Sequence, residues 1–354
     1  MTKLFTDDAI TADGKIYFVA KDMPVLYSME TETGEIACAG ILPGENIAQK
    51  QPTRKIVRWK DRLVIVPYNA CRIYIYDLGT REILVVDYPN GHEYGYMYAE
   101  AFAYEDKIIM IGAFAANIIE LDMNTLDVTV RNTCFEEYEE PKDMFCRSGY
   151  AIKDGTVYIA LAVSGAVLKI DLKTWEYSLA TPGDKECRFS GIAYDGEKFW
   201  LTARRGSGVY LWDGDKEFER FNLPFEMSEE TYNFGGVYHY DNRIWLHGFE
   251  GEGRTVKIDP KNRCVEGYNE HRYFFFRNVG DECIIGQERI GTIRLICGGD
   301  VTEYDPEISE DELMKIKMSF DPSAVFGDGR IMTENEVFGI GELVEMLKKT
   351  GVTL

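Results

Sequence analysis

Seven times along this chain a polar turn leads into an apolar strand, and the turns recur at a nearly constant interval. They fall at Asp13-Gly14, Asp61-Arg62, Asp106-Lys107, Asp154-Gly155, Asp195-Gly196, Asp241-Asn242 and Asp281-Glu282. Successive spacings are 48, 45, 48, 41, 46 and 40 residues. A period of roughly 40–50 residues marks a repeat architecture, in which no unit buries its apolar surface alone. This overrides length as a guide, because 354 residues would otherwise suggest two or three separate domains.

Repeat two is the clearest copy. It reads as four β-rich runs, Lys55–Trp59, Leu63–Pro67, Arg72–Asp77 and Glu82–Asp87, with Asp61-Arg62 and Gly79-Thr80 as hairpin turns. An acid closes the third strand of most copies: Glu30, Asp77, Asp122, Asp171, Asp213 and Asp259, each 16 to 18 residues after its turn aspartate. A carboxylate there can accept hydrogen bonds from the backbone of the following turn, so these acids read as structural. Runs such as Ile73-Tyr74-Ile75-Tyr76 and Ile108-Ile109-Met110-Ile111 are apolar without alternation, as in sheets covered on both faces.

Radially packed four-stranded blades have this property. The segments Tyr27-Ser28-Met29-Glu30-Thr31-Glu32-Thr33-Gly34-Glu35 and Ile170-Asp171-Leu172-Lys173-Thr174 carry the resemblance further. The chain resembles the β-propeller superfamily, with turns similar to those of quinoprotein-type and kelch-like seven-bladed members. The resemblance spans about residues 5 to 305 and implies an all-β, seven-bladed β-propeller of four-stranded antiparallel blades, residues 1–305, with a short α-helical C-terminal extension, residues 306–354. It implies no activity, since such folds host binding modules, scaffolds and enzymes. Repeat one has a weak first strand (Phe5 to Thr11) and repeat seven, TIRLICGGDVTEYDP, lacks the third-strand acid. These weak ends leave six or eight blades as alternatives and allow closure by a borrowed strand. In the tail, Ser309 caps a helix running to about Met318, and a second helix is expected over Ile340–Lys349, packed near the ring closure.

A formal charge of -21 argues against a nucleic-acid surface, which needs clustered Lys and Arg. The N-terminus shows no basic region followed by an apolar run, and no stretch reaches the ~18 apolar residues of a membrane span. Eight cysteines in that setting read as reduced thiols of a cytoplasmic protein. Their spacings fit no zinc site, and neither a metal nor a cofactor is expected.

Residues from different repeats meet on the rim where each first strand begins, beside the loops joining strands two and three. Seven residues upstream of the turn aspartates stand Thr6, Arg54, Ala99, Arg147, Arg188, Phe234 and Phe274. Arg54, Arg147 and Arg188 thus gather guanidinium groups on one rim of an acidic chain. Their planar forks suit carboxylate or phosphate. The bland alternative pairs each with a local acid such as Glu100, Asp184 or Glu186.

Further rim candidates are Tyr68, Asn69, Tyr98, Glu100, Arg204 and Arg205, with the Tyr94, Tyr96 and Tyr98 series nearby. Gly206-Ser207-Gly208 would let backbone approach a ligand but forms no phosphate loop. Cys146 and Cys187 precede two of the arginines and read as small buried side chains, with a reactive thiolate as the alternative. His92 and His247 are the weak candidates for a catalytic base; His271 also sits near the rim.

These residues predict a non-enzymatic binding protein that holds a protein partner or a small anionic ligand, such as an acidic sugar, at the central rim. One alternative is a lyase or hydrolase acting on an anionic carbohydrate there. Another is a protein-interaction scaffold. No nucleic acid or membrane is expected as a partner.

Overall fold

The computed structural model describes residues 1–47, 49–88, 97–114, 117–132, 146–183, 187–280 and 283–320. A short strand, β1 (Thr2–Lys3), precedes the repeats. Blade 1 holds β2 (Ala9–Ala12), β3 (Lys15–Val19), β4 (Val25–Glu30) and β5 (Ile36–Ile41); blade 2 holds β6 (Thr53–Trp59), β7 (Arg62–Pro67), β8 (Ile73–Asp77) and β9 (Ile83–Val86). Blade 3 holds β10 (Tyr98–Tyr104), β11 (Lys107–Gly112), β12 (Asn117–Asp122) and β13 (Val128–Asn132). Blade 4 holds β14 (Ala151–Lys153), β15 (Thr156–Ala160), β16 (Val167–Asp171) and β17 (Tyr177–Ala180). Blade 5 holds β18 (Phe189–Tyr194), β19 (Phe199–Ala203), β20 (Val209–Trp212) and β21 (Phe218–Phe221). Blade 6 holds β22 (Phe234–Tyr240), β23 (Arg243–Gly248), β24 (Thr255–Asp259) and β25 (Cys264–Asn269). Blade 7 holds β26 (Tyr273–Val279), β27 (Cys283–Glu288), β28 (Ile293–Cys297) and β29 (Asp300–Tyr304).

Each sheet is antiparallel and takes its four strands in chain order. The fold is a seven-bladed β-propeller. Among the described residues no blade borrows a strand, which corrects that expectation: β1 instead pairs with β30 (Glu307–Ile308), Thr2 opposite Ile308. Two compact units divide the chain, Met1–His92 with Asp305–Leu354, and Glu93–Tyr304. Blades 1 and 2 belong to the first unit and blades 3 to 7 to the second.

In the second unit, strand alternation sends side chains to clusters on opposite faces of a blade. Trp200 of β19 packs with Val237, Leu246 and Val256 of blade 6. Its neighbour Leu201 packs with Ala160 and Val167 of blade 4. Similar clusters join blade 3 to blade 4 through Phe102, Ile118, Val157 and Leu168, and blade 6 to blade 7 through Tyr240 and Phe276. Trp200 and Trp212 are both fully buried. A buried aromatic of this size contributes on the order of 1.5–3 kcal/mol relative to exposure.

The two turns of a blade are tied together. The amide after the third-strand acid donates to the first turn in four blades: Thr31 to Gly14, Leu78 to Asp61, Met123 to Asp106 and Leu172 to Gly155. The acids themselves cap the second turn. Asp77 Oδ1 accepts from Gly79 and Thr80, Asp122 from Asn124 and Thr125, and Asp171 from Lys173 and Thr174. Asp213 and Asp259 repeat the pattern. These backbone donors hold all five carboxyls below the ordinary aspartate range.

In the ladder, the third-strand acid faces the first residue of strand two. Lys15 is opposite Glu30 and Arg62 opposite Asp77, with ion pairs of 2.7 and 3.6 Å. Lys107 is likewise opposite Asp122. In blade 7 the same two places are Cys283 and Cys297, and they form a disulfide. The departure in repeat seven is therefore a replacement of an ion pair by a covalent link. It also corrects the expectation that all the cysteines are thiols.

Buried acids on the innermost strands reach across to the next blade. Asp8 Oδ2 accepts the Ile56 amide at 2.7 Å, and Glu100 Oε2 accepts the Gly149 amide at 2.9 Å. Both acids are 2% exposed. They are register equivalents, each four residues before the last paired residue of its first strand, Ala12 and Tyr104.

After β30, helix α1 (Glu310–Ser319) is capped by Ser309, whose Oγ accepts from the Glu312 amide. The second expected helix lies outside the described residues, as does the Asp281-Glu282 turn. Among the described residues no helix is long and apolar enough to cross a membrane.

Two outcomes follow from these contacts. Glu100→Ala and Asp8→Ala each leave a buried amide without its acceptor and should cost about 1–3 kcal/mol, read as a lower urea midpoint at unchanged slope. A change below about 0.5 kcal/mol in both would remove the staple. For the turn aspartates, folded pKa values below the ordinary 3.8 mean that their stabilisation is complete above that pH and is lost as pH falls through the folded values. The melting temperature should therefore hold steady from pH 7 to pH 5 and drop below about pH 4, with a shallower acid limb in Asp171→Asn.

Candidate functional site

The first turn carries a positive φ at its leading position in five blades: Asp13, Lys60, Glu105, Asp154 and Asp241. The aspartate is thus the first turn residue in blades 1, 4 and 6 and the second in blades 2 and 3. Aligning on aspartate therefore slips by one residue between blades. Five residues before the last ladder pair stand Asp7, Arg54, Ala99, Ser148, Phe189 and Gly235 in blades 1 to 6. Arg147 and Arg188 share a place with one another, one residue outside the place of Arg54. In an extended strand such a slip reverses the direction of a side chain.

Arg54 belongs to the first unit. Its Nη1 donates to the Tyr68 hydroxyl at 3.2 Å and its guanidinium lies 5.3 Å from that ring. Asn69 Nδ2 donates to the Lys50 carbonyl at 2.9 Å. Arg54 and Tyr68 therefore form a local pair, with Asn69 next along the chain.

The second unit assembles a different set. Arg147, just before blade 4, lies 4.2 Å from the Phe249 ring centre and 5.2 Å from that of Tyr232. Tyr232 also carries Arg205 at 5.0 Å and Arg204 at 5.7 Å, and its hydroxyl accepts from Arg205 Nη2. Phe249 carries Arg289 at 4.7 Å on its other shared contact, and Arg289 reaches Phe274 at 5.5 Å. Arg205, Tyr232, Arg147, Phe249, Arg289 and Phe274 thus form one alternating series across blades 4 to 7. Arg272 stands beside it, its Nη1 donating to the Gly251 carbonyl. Arg205, Arg272 and Arg289 are exposed, whereas Arg204 is buried and donates to the Ala162 carbonyl. Glu250 meets Arg289 at 3.3 Å and neutralises part of the charge.

Of the rim candidates, Arg147, Arg204 and Arg205 meet in this series; Tyr232, Phe249, Arg272 and Arg289 are not among those candidates. The last is signalled by its place between strands two and three, the loop that also supplies Arg205. Arg188 is exposed, and among the described residues its side chain makes no ion pair; its carbonyl accepts from the Arg204 amide. Asp184 and Glu186 lie outside the described residues.

The other candidates differ in their surroundings. Tyr98 is fully buried and donates to Asn117 Oδ1. Glu100 uses both carboxylate oxygens on backbone amides of Ala101 and Gly149, so its visible role is structural rather than ligand contact. His247 is 3% exposed, bonded through Nε2 to the Tyr273 carbonyl and packed against Tyr238, Tyr273 and Phe276, and its ring also meets Phe249 of the series edge-on at 6.0 Å. His92, Tyr94 and Tyr96 lie outside the described residues. His271 pairs with Glu288 at 2.9 Å. Cys146 is buried in the core between blades 3 and 4, and Cys187 is partly buried against the Tyr210 hydroxyl.

A separate cleft of about 400 Å³ opens between β21 and the loop leading to β22, lined by Arg220, Phe225, Met227 and Glu229 among others. Its charges meet one another: Ser207 Oγ lies 2.6 Å from Glu229 and 2.9 Å from Arg220. Among the described residues no group of three or more His, Cys, Asp or Glu could hold a metal ion.

No family model matches the chain, and no curated protein matches it. Solved structures do. Streptogramin B lyase aligns with a TM-score of 0.60 at 10% identity, covering 84% of this chain and 93% of that one. Virginiamycin B lyase from Staphylococcus aureus aligns at 0.61 and 14%, covering 82% and 96%. A chain of the mitotic checkpoint complex aligns at 0.59 and 8%, covering 85% and 94%. At such identities the likeness is one of fold.

His247 is held partly by the absence of a side chain at Gly235, where an added Cβ would stand 2.5 Å from the imidazole. Gly235→Ala should therefore lower stability by about 1–3 kcal/mol in thermal or urea unfolding. An unchanged midpoint would show that the imidazole can move aside.

Proposed function

We propose that this chain is a non-enzymatic binding protein that holds an anionic group, carboxylate or phosphate, on the arginine-bearing rim of blades 4 to 7. One observation carries the reading: Arg147, Arg205 and Arg289 are gathered by two shared rings, Tyr232 and Phe249. Like charges held this close repel one another, and an anion placed among them relieves that repulsion. Stacking on the rings fixes the guanidinium planes in advance, so less entropy is lost when a forked contact forms.

The enzyme reading fares less well. A lyase or hydrolase needs a base beside the anion, and of the two histidines considered only His247 is described; its Nε2 is engaged by the Tyr273 carbonyl in the core. A protein partner with an acidic surface fits the same rim, and a structural neighbour belonging to the mitotic checkpoint complex supports keeping that reading.

The test is calorimetry at low salt with phosphate, citrate and glucuronate, comparing the parent chain with Arg147→Ala. Binding to the parent should weaken at least tenfold in the variant, about 1.4 kcal/mol. A ligand whose affinity survives Arg147→Ala, in protein that still melts cooperatively, would place the anion elsewhere and overturn the reading.

A further inference from the structure

We infer that the cleft between β21 and the loop leading to β22 is a binding site for a small organic cation, an ammonium group carried on an apolar body. The inference goes beyond the anion-binding role proposed for the rim and does not depend on it.

The floor of the cleft is apolar and anchored. Phe221 and Met227 line it, each 7% exposed and part of the core in which Trp200 of blade 5 packs with Leu246 and Val256 of blade 6. Leu223 and Phe225, both half-buried, line it too and pack against the same core. Side chains rooted in a close-packed core have little room to collapse into a neighbouring space, so this wall is formed before any ligand arrives. The volume of about 400 Å³ lies within the ~300–1,000 Å³ of small-molecule sites. A phenyl ring or an unbranched alkyl chain suits such a floor, and the thioether of Met227 adapts to either.

The charges of the lining select the sign. They are Arg220, Glu226 and Glu229, one positive group and two negative. Arg220 and Glu229 are committed to one another through Ser207. The Ser207 hydroxyl donates to Glu229 Oε1 at 2.6 Å and accepts from Arg220 Nη2 at 2.9 Å, while that Nη2 lies 3.5 Å from the same carboxylate oxygen. Glu226 differs. It is exposed, and it makes no hydrogen bond or ion pair among the described residues.

A ligand seated on the floor strips water from the Glu226 carboxylate. A neutral apolar ligand returns nothing for that loss, and an anion adds repulsion to it. An ammonium group returns a charge-assisted hydrogen bond, while its apolar body covers Leu223 and Phe225. Phe225 already carries the guanidinium of Arg254, which is not part of the lining, at 4.7 Å, so the ring tolerates a cation beside it.

The experiment is calorimetry on the full chain at neutral pH with 2-phenylethylamine and hexylamine, the matching alcohols 2-phenylethanol and hexanol, and 3-phenylpropionate. Both amines should bind with a Kd of about 1 mM or below, and the alcohols and the carboxylate at least tenfold more weakly. Glu226→Gln, a change at an exposed position, should weaken both amines at least fivefold and remove most of their advantage over the alcohols. Phe225→Ala should weaken the phenyl amine and the phenyl alcohol alike, which a site made of surface charge alone would not show. Phe225→Leu serves if the alanine variant melts early, and it should shift affinity from the phenyl amine toward hexylamine. Phenylpropionate bound as tightly as phenylethylamine would show that Arg220 decides the sign and would overturn the inference. Amine affinity that survives Glu226→Gln, in protein that melts as the parent does, would overturn it as well. So would the failure of both amines to bind at about 10 mM.

Discussion

A four-stranded sheet with two apolar faces has no stable existence by itself in water, and blades 4, 5 and 6 are of this kind. Trp200 and Leu201, adjacent in β19, serve the cores on opposite sides of blade 5. The hydrophobic term therefore acts between repeats and not within them. It has little directional preference, and apolar faces alone would let neighbouring blades slide. The buried acids supply register. Asp8 and Glu100 occupy equivalent places and each accepts a backbone amide of the following blade. A charged acceptor withdrawn from water tolerates little displacement, because a lost hydrogen bond there exposes the full desolvation penalty.

The same logic of position explains the disulfide. The ladder place where strand two starts opposite the end of strand three is an ion pair in blades 1 and 2 and a cystine in blade 7. An exposed ion pair is worth little in water, typically below about 1 kcal/mol. A covalent link at the same place closes the hairpin outright, here across 14 residues. Repeat seven thus lacks the acid without losing the cross-strand tie.

Much of the architecture was legible because turn chemistry repeats. A tight hairpin demands φ > 0, and aspartate tolerates that conformation near many of the turns. The residue itself is not obligatory, however. Lys60 and Glu105 hold the left-handed place in blades 2 and 3. A ruler marked in aspartates consequently slips by one, and the three arginines it collected divide into Arg54 at one place and Arg147 with Arg188 at another. Tyr232 and Phe249 were illegible for a different reason. They sit in loops that differ between repeats, so no period points to them, and only three-dimensional packing reveals that they are shared by arginines of other blades. Glu100 is legible only in three dimensions, where it is buried and accepts the Ala101 and Gly149 amides.

The arginine series stands out against a chain of net charge -21. Long-range repulsion of an anionic ligand by the whole surface is screened beyond about 8–10 Å at ordinary salt, whereas contacts within the rim are not. For the proposed anion, local charge therefore outweighs overall charge, which mainly slows approach. Stacking matters as much as sign. Arginine is more weakly hydrated than lysine and lies flat against an aromatic ring, so the guanidinium groups can be crowded where ammonium groups would stay apart and fully hydrated. The rings gather like charges, and that arrangement is tolerable chiefly when acids intervene. Glu250 is one such acid, placed at Arg289. Arg147 and Arg205 are held on Tyr232 in the same series.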